Sequence, residues 1–379
     1  MPTPLAAART ARGWTQHQLL RALRARARAG GHELPPDSTL RVTLSGWENG
    51  RHCPGPLYRR LLAEVLETTE TDLGFGWAGR PDPTPPLPAG PELLAYLEAV
   101  LASHIQADRT LGSYYLISVV QEHVKVMELC LHDTRSHLRD DFLSLANRFA
   151  EFCGWLNQDQ RRYADAERWT SKALDFAQAL DDVHLMSYTL MRRSNIATET
   201  GRGHDALLLA EAALHPRPLT PGLRAVALRQ KAAALALLGD EAGYRQAVDD
   251  GLDAAGRHDT SPLTVYCTVP YMKMEAGAAA MNLRQPRLAA RLLADARRDW
   301  PTGHDRDRAL CLARLAEVYA EMGDPDQACD VGRQALQAVR LAPSQRTAAS
   351  LRALRGALIP YRARPEVMEL RELVAEVLP

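Results

Sequence analysis

The chain has 379 residues, in which 46 lysines and arginines balance 46 aspartates and glutamates. This balance excludes a polyelectrolyte that binds polyanions along its whole length. No apolar run approaches the roughly 20 residues of a membrane-spanning helix, and the six cysteines form no C-x-x-C pair. Because the N-terminal residues have no signal-peptide pattern, we expect a cytoplasmic protein with reduced thiols and no membrane contact.

The charges are unevenly distributed along the chain. Residues 1–60 contain ten arginines and only three acidic residues, so the rest of the chain carries a compensating negative excess. A basic N-terminal segment on an acidic body favours a polyanionic partner for that segment. The alternative is that these arginines are only a solvated face.

The first strong helix signals lie in this basic segment. Thr15 is a good N-cap residue, and Gln18 completes a capping box three residues later. A glutamine at a helix start on a basic surface can donate a hydrogen bond to a phosphate. The following helix is predicted to begin at Asp37 or Ser38, after two prolines, and to end near Trp47.

That following helix has two different faces. Its apolar residues are spaced four and three apart, which predicts a buried stripe made of Leu40, Leu44 and Trp47. Arg41 and Ser45 share the neighbouring face, with Thr43 beside them. A buried back and a polar front are typical of a recognition helix that enters the major groove of DNA.

Residues 5–75 resemble the helix-turn-helix family of the lambda-repressor or xenobiotic-response-element type. The resemblance lies in the segments "RGWTQHQLL", "LRVTLSGWENGR" and "PLYRRLLAEVLETTETDLGF". It implies that Gln16 contacts a phosphate and that Asn49 and Arg51 grip the DNA backbone. The implied base-facing positions are Arg41, Val42, Thr43 and Ser45. An arginine at position 41 would favour guanine.

The connection between the two helices departs from the family pattern. The segment "RARARAGGHELPPDS" is longer than the family's tight turn. Either the first of the two helices is extended or a loop is inserted, and such a loop could add phosphate contacts. Further along, residues 79–91 contain the proline-rich run "PDPTPPLPAG", which predicts an extended linker.

From residue 92 onward the pattern predicts amphipathic helices that repeat. In residues 312–336, a helix with an apolar stripe is followed by a Gly-Asp-Pro turn and a second helix with small residues at Ala328, Gly332 and Ala335. Small residues at this spacing let two antiparallel helices approach closely. Degenerate copies of the scheme are residues 161–174, 201–214, 237–248 and 284–296.

These copies resemble the tetratricopeptide repeat, although their spacing is nearer 40 residues than the usual ~34. The predicted fold class is therefore all-α, with an N-terminal helix-turn-helix domain (residues 1–78) followed by a tetratricopeptide-like α-solenoid (residues 92–379). Four or five units fit between about residues 140 and 342. Two closing helices are predicted at 345–357 and 365–378.

In a tetratricopeptide array, the first helix of each pair lines a concave groove that binds ligands. This layout predicts a set of ligand-binding residues: Arg148, Trp155, Tyr188, Met191, Asn195, Arg229, Tyr271 and Met274. Asparagine and arginine suit the backbone of an extended peptide, whereas methionine and aromatic walls suit its side chains. The alternative is that these residues simply pack between neighbouring helices.

The whole chain resembles the peptide-sensing regulators of Gram-positive bacteria grouped as RRNPP-type, and related actinobacterial regulators. The resemblance implies a homodimer that binds a two-fold operator in double-stranded DNA. A peptide or small-molecule effector in the groove would then control DNA binding. No motif in the sequence indicates catalysis, a cofactor or a metal site.

Two other functions remain open. The array could be an adaptor that binds a protein partner, with the N-terminal domain as a positioning module. The chain could also be a host or phage component that inhibits a partner through the array without any need for DNA. Salt-dependent, sequence-selective DNA binding would separate the regulator from both alternatives.

Overall fold

The computed structural model describes residues 3–52, 54–75, 89–133, 138–215, 218–341 and 343–378. Within these ranges the regular secondary structure is entirely helical. The chain divides into two compact units, residues 1–87 and 88–379. Most of the linker predicted at residues 79–91 lies outside the described residues.

In its described residues the first unit has four helices: α1 (Pro4–Ala11), α2 (Gln16–Ala29), α3 (Asp37–Glu48) and α4 (Pro56–Val65). The predicted capping box of Thr15 and Gln18 is present at the start of α2. The predicted stripe of α3 is also confirmed, because Leu40, Leu44 and Trp47 are all buried in the core of this unit. The Trp47 ring packs against Tyr58 of α4, with ring centroids 4.9 Å apart.

The long connection between α2 and α3 is both an extended helix and a short loop. Helix α2 continues to Ala29, and Gly31 then adopts a left-handed φ of 74°. Arg24 of α2 donates hydrogen bonds to Asp37 and to the carbonyl oxygen of Pro35. These contacts fasten the start of α3 to the middle of α2.

The second unit begins with α5 (Pro91–Leu111) and α6 (Ile117–Asp133), joined by a short 3-10 turn. Five antiparallel helix pairs follow: α7 (Arg139–Asp159) with α8 (Tyr163–Ala179), α9 (Val183–Glu199) with α10 (Gly203–Leu214), α11 (Pro221–Leu238) with α12 (Glu241–Ala255), α13 (Val269–Asn282) with α14 (Pro286–Arg298), and α15 (Asp305–Glu321) with α16 (Pro325–Leu341). The last helices are α17 (Gln345–Ala357) and α18 (Pro365–Val377), which correspond to the two closing helices expected from the sequence. The second unit is therefore a helical repeat of the tetratricopeptide-like kind.

The repeat is visible in two structural details. The second helix of each pair carries two buried alanines seven residues apart: Ala166 and Ala173, Ala206 and Ala213, Ala247 and Ala254, Ala289 and Ala296, and Ala328 and Ala335. The turn inside each pair contains one residue with positive φ, namely Arg161, Gly201, Gly239, Arg284 and Gly323. Small residues on the second helix let it approach the first helix closely, so each pair buries its shared face in the same way.

Across the described residues, none of the helices combines the length and the apolar character needed to cross a membrane.

Candidate functional site

The polar face of α3 is held in place by a buried carboxylate at the end of the helix. Glu48 accepts hydrogen bonds from Arg9 Nε at 2.5 Å, from Arg9 Nη2 at 3.0 Å and from Gln16 Nε2 at 2.7 Å. The backbone carbonyl of Glu48 also accepts from Thr3 Oγ1 at 2.8 Å. The hydrogen bond to Glu48 raises the pKa of Arg9. Glu48 therefore joins the end of α3 to α1 and to the first turn of α2.

The side chains predicted to face bases lie at the surface of α3. Arg41 is exposed, and Val42 is 73 % exposed although it is apolar. The hydroxyl of Thr43 donates to the carbonyl oxygen of Thr39 at 2.9 Å, so it is partly used within the helix. The amide of Asn49 donates to the carbonyl oxygen of Ser45 at 2.7 Å. Arg41 and Val42 are thus the two side chains of the predicted set that project most freely.

The two glutamines predicted near a phosphate have structural partners. Gln16 is half-buried and donates to Glu48, as described above. The side-chain oxygen of Gln18 accepts from the backbone nitrogen of Thr15 at 2.7 Å. Gln18 is exposed, so its amide nitrogen faces solvent while its oxygen caps the helix.

Nine of the ten arginines in residues 1–60 fall into two groups, and the tenth, Arg59, donates to the carbonyl oxygen of Pro54 at 2.6 Å. Four of them form ion pairs with carboxylates of the same unit: Arg9 with Glu48, Arg12 with Glu67, Arg24 with Asp37, and Arg26 with Glu64. Five others are exposed and form no ion pair with a described residue: Arg21, Arg28, Arg41, Arg51 and Arg60. Half of the ten arginines in residues 1–60 therefore carry a positive charge that is available to a partner.

Two of the unpaired arginines flank the contact between α2 and α3. Arg21, Arg24 and Arg28 are three and four residues apart on α2, so they share one face of that helix. Arg24 contacts Asp37, which is one turn before Arg41 on α3. The exposed Arg21 and Arg28 consequently lie along the helix face that meets the start of α3.

In the second unit, side chains from the first helices of several pairs meet in one cluster, here called the arginine cluster. It contains five arginines: Arg192, Arg229, Arg306, Arg314 and Arg346. It also contains four carboxylates: Asp108, Glu151, Asp159 and Glu275. All nine side chains have at most 18 % of their surface exposed, so their charges are compensated mainly by one another.

Trp155 on α7 lies at the centre of this cluster. Its indole Nε1 donates to Asp108 Oδ2 at 3.3 Å. Three guanidinium groups lie within 6 Å of its ring centroid: Arg192 at 5.1 Å, Arg306 at 5.8 Å and Arg346 at 5.9 Å. Cation–π contacts of this kind are strongest where water is excluded, so Trp155 links α5 and α7 to α9, α15 and α17.

Side-chain hydrogen bonds connect α7 to α9. Gln158 donates to Asn195 Oδ1 at 2.8 Å and accepts from Arg192 Nη2 at 2.7 Å. Arg192 Nε lies 2.9 Å from Glu151 Oε1. Burial nevertheless raises the pKa of Glu151, because the Arg192 charge does not fully offset desolvation. Asn195 is half-buried, and its amide nitrogen makes no hydrogen bond to a described residue.

Around Glu275 on α13, three guanidinium groups share one carboxylate. Arg314 Nη1 donates to it at 3.0 Å, Arg346 Nη2 donates at 2.9 Å, and Arg229 Nη1 lies 3.6 Å away. Burial alone would raise the pKa of Glu275, but the three positive charges outweigh burial and hold the pKa well below its usual range. Glu275 is therefore ionised near neutral pH, and the charges of Glu199 and Asp307 also act on Arg346.

The structure joins six of the eight predicted ligand-binding residues to the cluster. Trp155 and Asn195 take part as described, and Arg229 donates to Tyr271 and to the sulfur of Met191. Tyr188 lies near Tyr266, whose ring centroid is 5.2 Å from that of Tyr271. No hydrogen bond or ion pair joins the remaining two, Arg148 and Met274, to the cluster among the described residues, and Met274 is fully buried in the core.

Several cluster members were not predicted from the sequence. They include the carboxylates Asp108, Asp159 and Glu275 and the arginines of the last helices, Arg306, Arg314 and Arg346. Some of them could have been found from their spacing on the first helices. Glu151, Trp155 and Asp159 follow one another at intervals of four residues on α7, and Tyr271 and Glu275 are four residues apart on α13. If α15 and α17 had also been assigned to the groove, with α17 not treated only as a closing helix, Arg306, Arg314 and Arg346 would have been predicted as groove residues.

Two cavities border the cluster. One has a volume of about 280 Å³ and is lined by residues that include Tyr114, Tyr115, Asp159 and Gln345. The other has a volume of about 210 Å³ and is lined by residues that include Met281, Arg314 and Glu317. Among the described side chains, no group of three or more histidine, cysteine, aspartate or glutamate residues is placed to hold a metal ion.

Comparison with known proteins gives matches only among solved structures. No protein-family model and no curated protein matches the chain. A Rap protein complexed with competence and sporulation factor is 13% identical, with a TM-score of 0.47 over 75% of this chain and 89% of that chain. BtubC (BKLC) from P. vanneervenii is 18% identical, with a TM-score of 0.43 over 60% of this chain and 91% of that chain.

Proposed function

We propose that the chain is a sequence-specific DNA-binding transcriptional regulator whose repeat unit binds an effector. The observation that carries the DNA-binding half is the division of α3 into a buried stripe and an exposed polar face. Arg41 projects from that face, and four further exposed, unpaired arginines belong to the same unit. Major-groove recognition needs a helix with this division, together with cationic groups that contact phosphates.

The Glu48 contacts support this proposal. A recognition helix must keep a fixed orientation relative to its neighbour, because base contacts depend on distances of a few tenths of an ångström. Glu48 connects α3 to α1 and α2 through side chains that are mostly buried. The polar face of α3 therefore belongs to a rigid unit.

The arginine cluster supports the effector half of the proposal. Buried charges that are only partly compensated are costly for a protein, and they concentrate at binding sites. The half-buried Asn195 and the aromatic Trp155 and Tyr271 provide the hydrogen-bonding and apolar surfaces that an extended peptide requires. The repeat unit would bind the effector among these first helices.

The proposal is tested with the full chain and a random pool of double-stranded DNA. We expect selection to enrich one sequence with two-fold symmetry, whose half-sites lie about one helical turn (~34 Å) apart. The logarithm of the affinity should fall linearly with the logarithm of salt concentration, since each neutralised phosphate contributes a slope of about −0.9. Failure to enrich any sequence would contradict the proposal.

A homodimer is the form that such an operator requires, and one surface of the second unit supports it. Large apolar side chains are exposed along α5, α6 and the turn between them: Tyr96, Ile105, Leu111, Tyr114, Tyr115, Val119 and Leu129. Exposed apolar surface of this extent is typical of protein–protein contacts. Sedimentation of the full chain and of a Tyr114→Glu, Tyr115→Glu variant tests whether this surface joins two copies.

The same surface favours the second candidate function, an adaptor that binds a different protein. If the full chain sediments as a monomer and selects no DNA sequence, the exposed residues of α5 and α6 are better explained by such a partner.

A further inference from the structure

The cavity of about 280 Å³ lies where the ends of three helices meet. Its wall includes Leu111 and Asp159, the last residues of α5 and α7, and Gln345, the first residue of α17. The last turn of a helix carries partial negative charge, and the first turn carries partial positive charge. The positive end of α17 is already capped by the side chain of Ser344. The two C-terminal ends therefore favour a cation in this cavity.

Two carboxylates lie beside each other where α5 and α7 meet, and they share few donors. The hydroxyl oxygen of Ser113 lies 2.9 Å from Asp108 Oδ1 and 2.8 Å from Asp159 Oδ2. A hydroxyl group has one proton, so it can donate to only one of these oxygens at a time. Arg306 places one guanidinium group between the carboxylates, at 2.5 and 3.1 Å. Since the Trp155 indole donates to Asp108, Asp159 has the fewer donors.

One oxygen of Asp159 can accept a further hydrogen bond. Its Oδ1 is buried, has no hydrogen-bond partner among the described residues, and belongs to a side chain that is only 1% exposed. The same residue forms part of the cavity wall. Burying a carboxylate oxygen without a donor is unfavourable. A positively charged donor in the cavity would therefore gain a charge-assisted hydrogen bond.

Two aromatic rings belong to the same wall. Tyr114 and Tyr115 are exposed, and their ring centroids lie 5.3 Å apart with the rings nearly perpendicular. The faces of such rings attract cations, and the apolar part of a ligand can pack on them. A metal ion would use only the charge of this site, whereas an organic ammonium ion would use the charge and the rings. The cavity is near the lower end of the range of small-molecule sites, roughly 300–1,000 Å³, so the ligand is small.

We propose that this cavity binds a small primary amine in its protonated form. The ammonium group donates a hydrogen bond to Asp159 Oδ1, and the apolar body of the amine packs on the rings of Tyr114 and Tyr115. Binding here requires neither DNA nor an effector among the first helices of the repeat. The inference therefore adds a second kind of ligand and does not depend on the proposed function.

The test uses the full chain and four probes that share a phenylethyl body. Phenethylamine carries the ammonium group, 2-phenylethanol is neutral, 3-phenylpropionate is anionic, and phenethyltrimethylammonium is cationic without an N–H donor. Ligand-observed NMR titrations measure the dissociation constant of each probe. We expect phenethylamine to bind about tenfold more tightly than the other three, because each of those lacks the charge-assisted hydrogen bond to Asp159.

Two variants assign the contacts to residues. Asp159→Asn keeps the shape of the side chain and removes its charge, so it should bind phenethylamine about tenfold more weakly and 2-phenylethanol as the wild type does. Tyr115→Leu removes an aromatic face and leaves an apolar surface. It should weaken both cationic probes by about two- to fivefold. A general loss of folding would instead weaken all four probes together.

Matched controls come from positions away from the cavity. Asp253 on α12 forms an exposed ion pair with Arg257, and Tyr96 is an exposed tyrosine of α5. Tyr96 lies 15 residues before Leu111, which is about 22 Å along the helix. Asp253→Asn and Tyr96→Leu should leave the affinity for every probe unchanged.

Equal affinity of the wild-type chain for phenethylamine and 2-phenylethanol, or no binding of phenethylamine, would overturn the inference. These measurements use the wild-type protein, so they do not depend on how the variants fold. Tighter binding of phenylalaninamide, which carries the same ring and ammonium group on a peptide backbone, would also overturn it. DNA selection on the same preparation reports separately on the proposed function.

Discussion

The two units use arginine in opposite ways. In the first unit, the arginines that carry the proposed function are exposed and unpaired, as Arg41 and Arg28 are. In the second unit, they are buried and paired, as Arg229 and Arg346 are with Glu275. An exposed arginine suits a large, highly charged partner that attracts it over a distance of several ångströms. A buried arginine suits a small ligand that must supply a specific hydrogen bond in a site with little water.

This contrast predicts that single substitutions will act differently in the two units. Removing one buried partner of an ion pair should lower the free energy of unfolding, whereas removing an exposed arginine should lower only the affinity for DNA. Glu48→Ala and Arg41→Ala test this prediction, and two further substitutions examine the second unit; all four follow in order of expected effect.

The largest effect is expected for Glu48→Ala. This change leaves Arg9 partly buried without its partner and frees Gln16, so the first unit should lose about 3 kcal/mol of unfolding free energy. Chemical denaturation of the full chain, followed by the fluorescence of tryptophans that include Trp47, measures the loss. The control Glu70→Ala removes an exposed carboxylate that makes no side-chain contact in the described residues, and it should have almost no effect. If both variants are equally stable, Glu48 does not hold α3.

The next effect concerns pH and the second unit. Burial, and then the neighbouring charge of Glu321, raise the pKa of Glu317 from 4.5 to about 7, against the opposing effect of Arg314. Because the folded protein binds this proton more tightly than the unfolded chain, the contribution of Glu317 to stability is lost as pH rises from about 4.5 to about 7. Glu317→Gln should therefore stabilise the unit by about 2–3 kcal/mol at pH 8 relative to wild type and by little at about pH 5. An equal difference at both pH values would exclude this titration.

Arg41→Ala should remove about 1–3 kcal/mol of discrimination between the selected operator and a sequence changed at one guanine. Its stability should stay unchanged, since Arg41 is exposed and has no ion pair among the described residues. Arg60→Ala is the matched comparison, because it removes an equally exposed arginine outside α3. That variant should weaken binding to all sequences alike and make the salt dependence less steep. Unchanged selectivity in Arg41→Ala would mean that α3 does not read bases.

The smallest effect is expected for Asn195→Ala. Asn195 accepts from Gln158 and Arg192 and leaves its amide nitrogen free for a ligand. The variant should retain a library of random short peptides about tenfold more weakly and bind DNA as the wild type does. Asn282→Ala, at an exposed position at the end of α13, is the control. Loss of DNA binding in Asn195→Ala would instead show that this residue supports the fold.

The sequence predicted those features that depend on neighbouring residues. The capping box at Thr15, the stripe of Leu40, Leu44 and Trp47, and the two closing helices depend on local signals, and all of them are present. The alanines seven residues apart also predicted the second helix of most pairs, because the space between packed helices selects small residues.

Other features depend on residues far apart in the chain, and the sequence could not predict them. Glu48 follows Trp47 in a segment whose sequence indicated contact with DNA. In the structure its side chain instead pairs with Arg9, which is 39 residues away in the sequence. The ion pairs of Arg306 with Asp108 and Asp159 bring together α5, α7 and α15. Such a meeting depends on how far each helix pair rotates relative to the previous pair, and helical periodicity contains no information on that rotation.

The ion pair between Arg306 and Asp108 spans 198 residues and has a consequence for folding. In an open repeat array each unit contacts only its neighbours, so the array can unfold gradually from either end. Here the first helix of the unit contacts a helix of the last pair, and opening either end removes contacts at the other. The second unit should consequently unfold in a single cooperative transition and fold slowly for a helical protein, because its closing contacts have a large sequence separation.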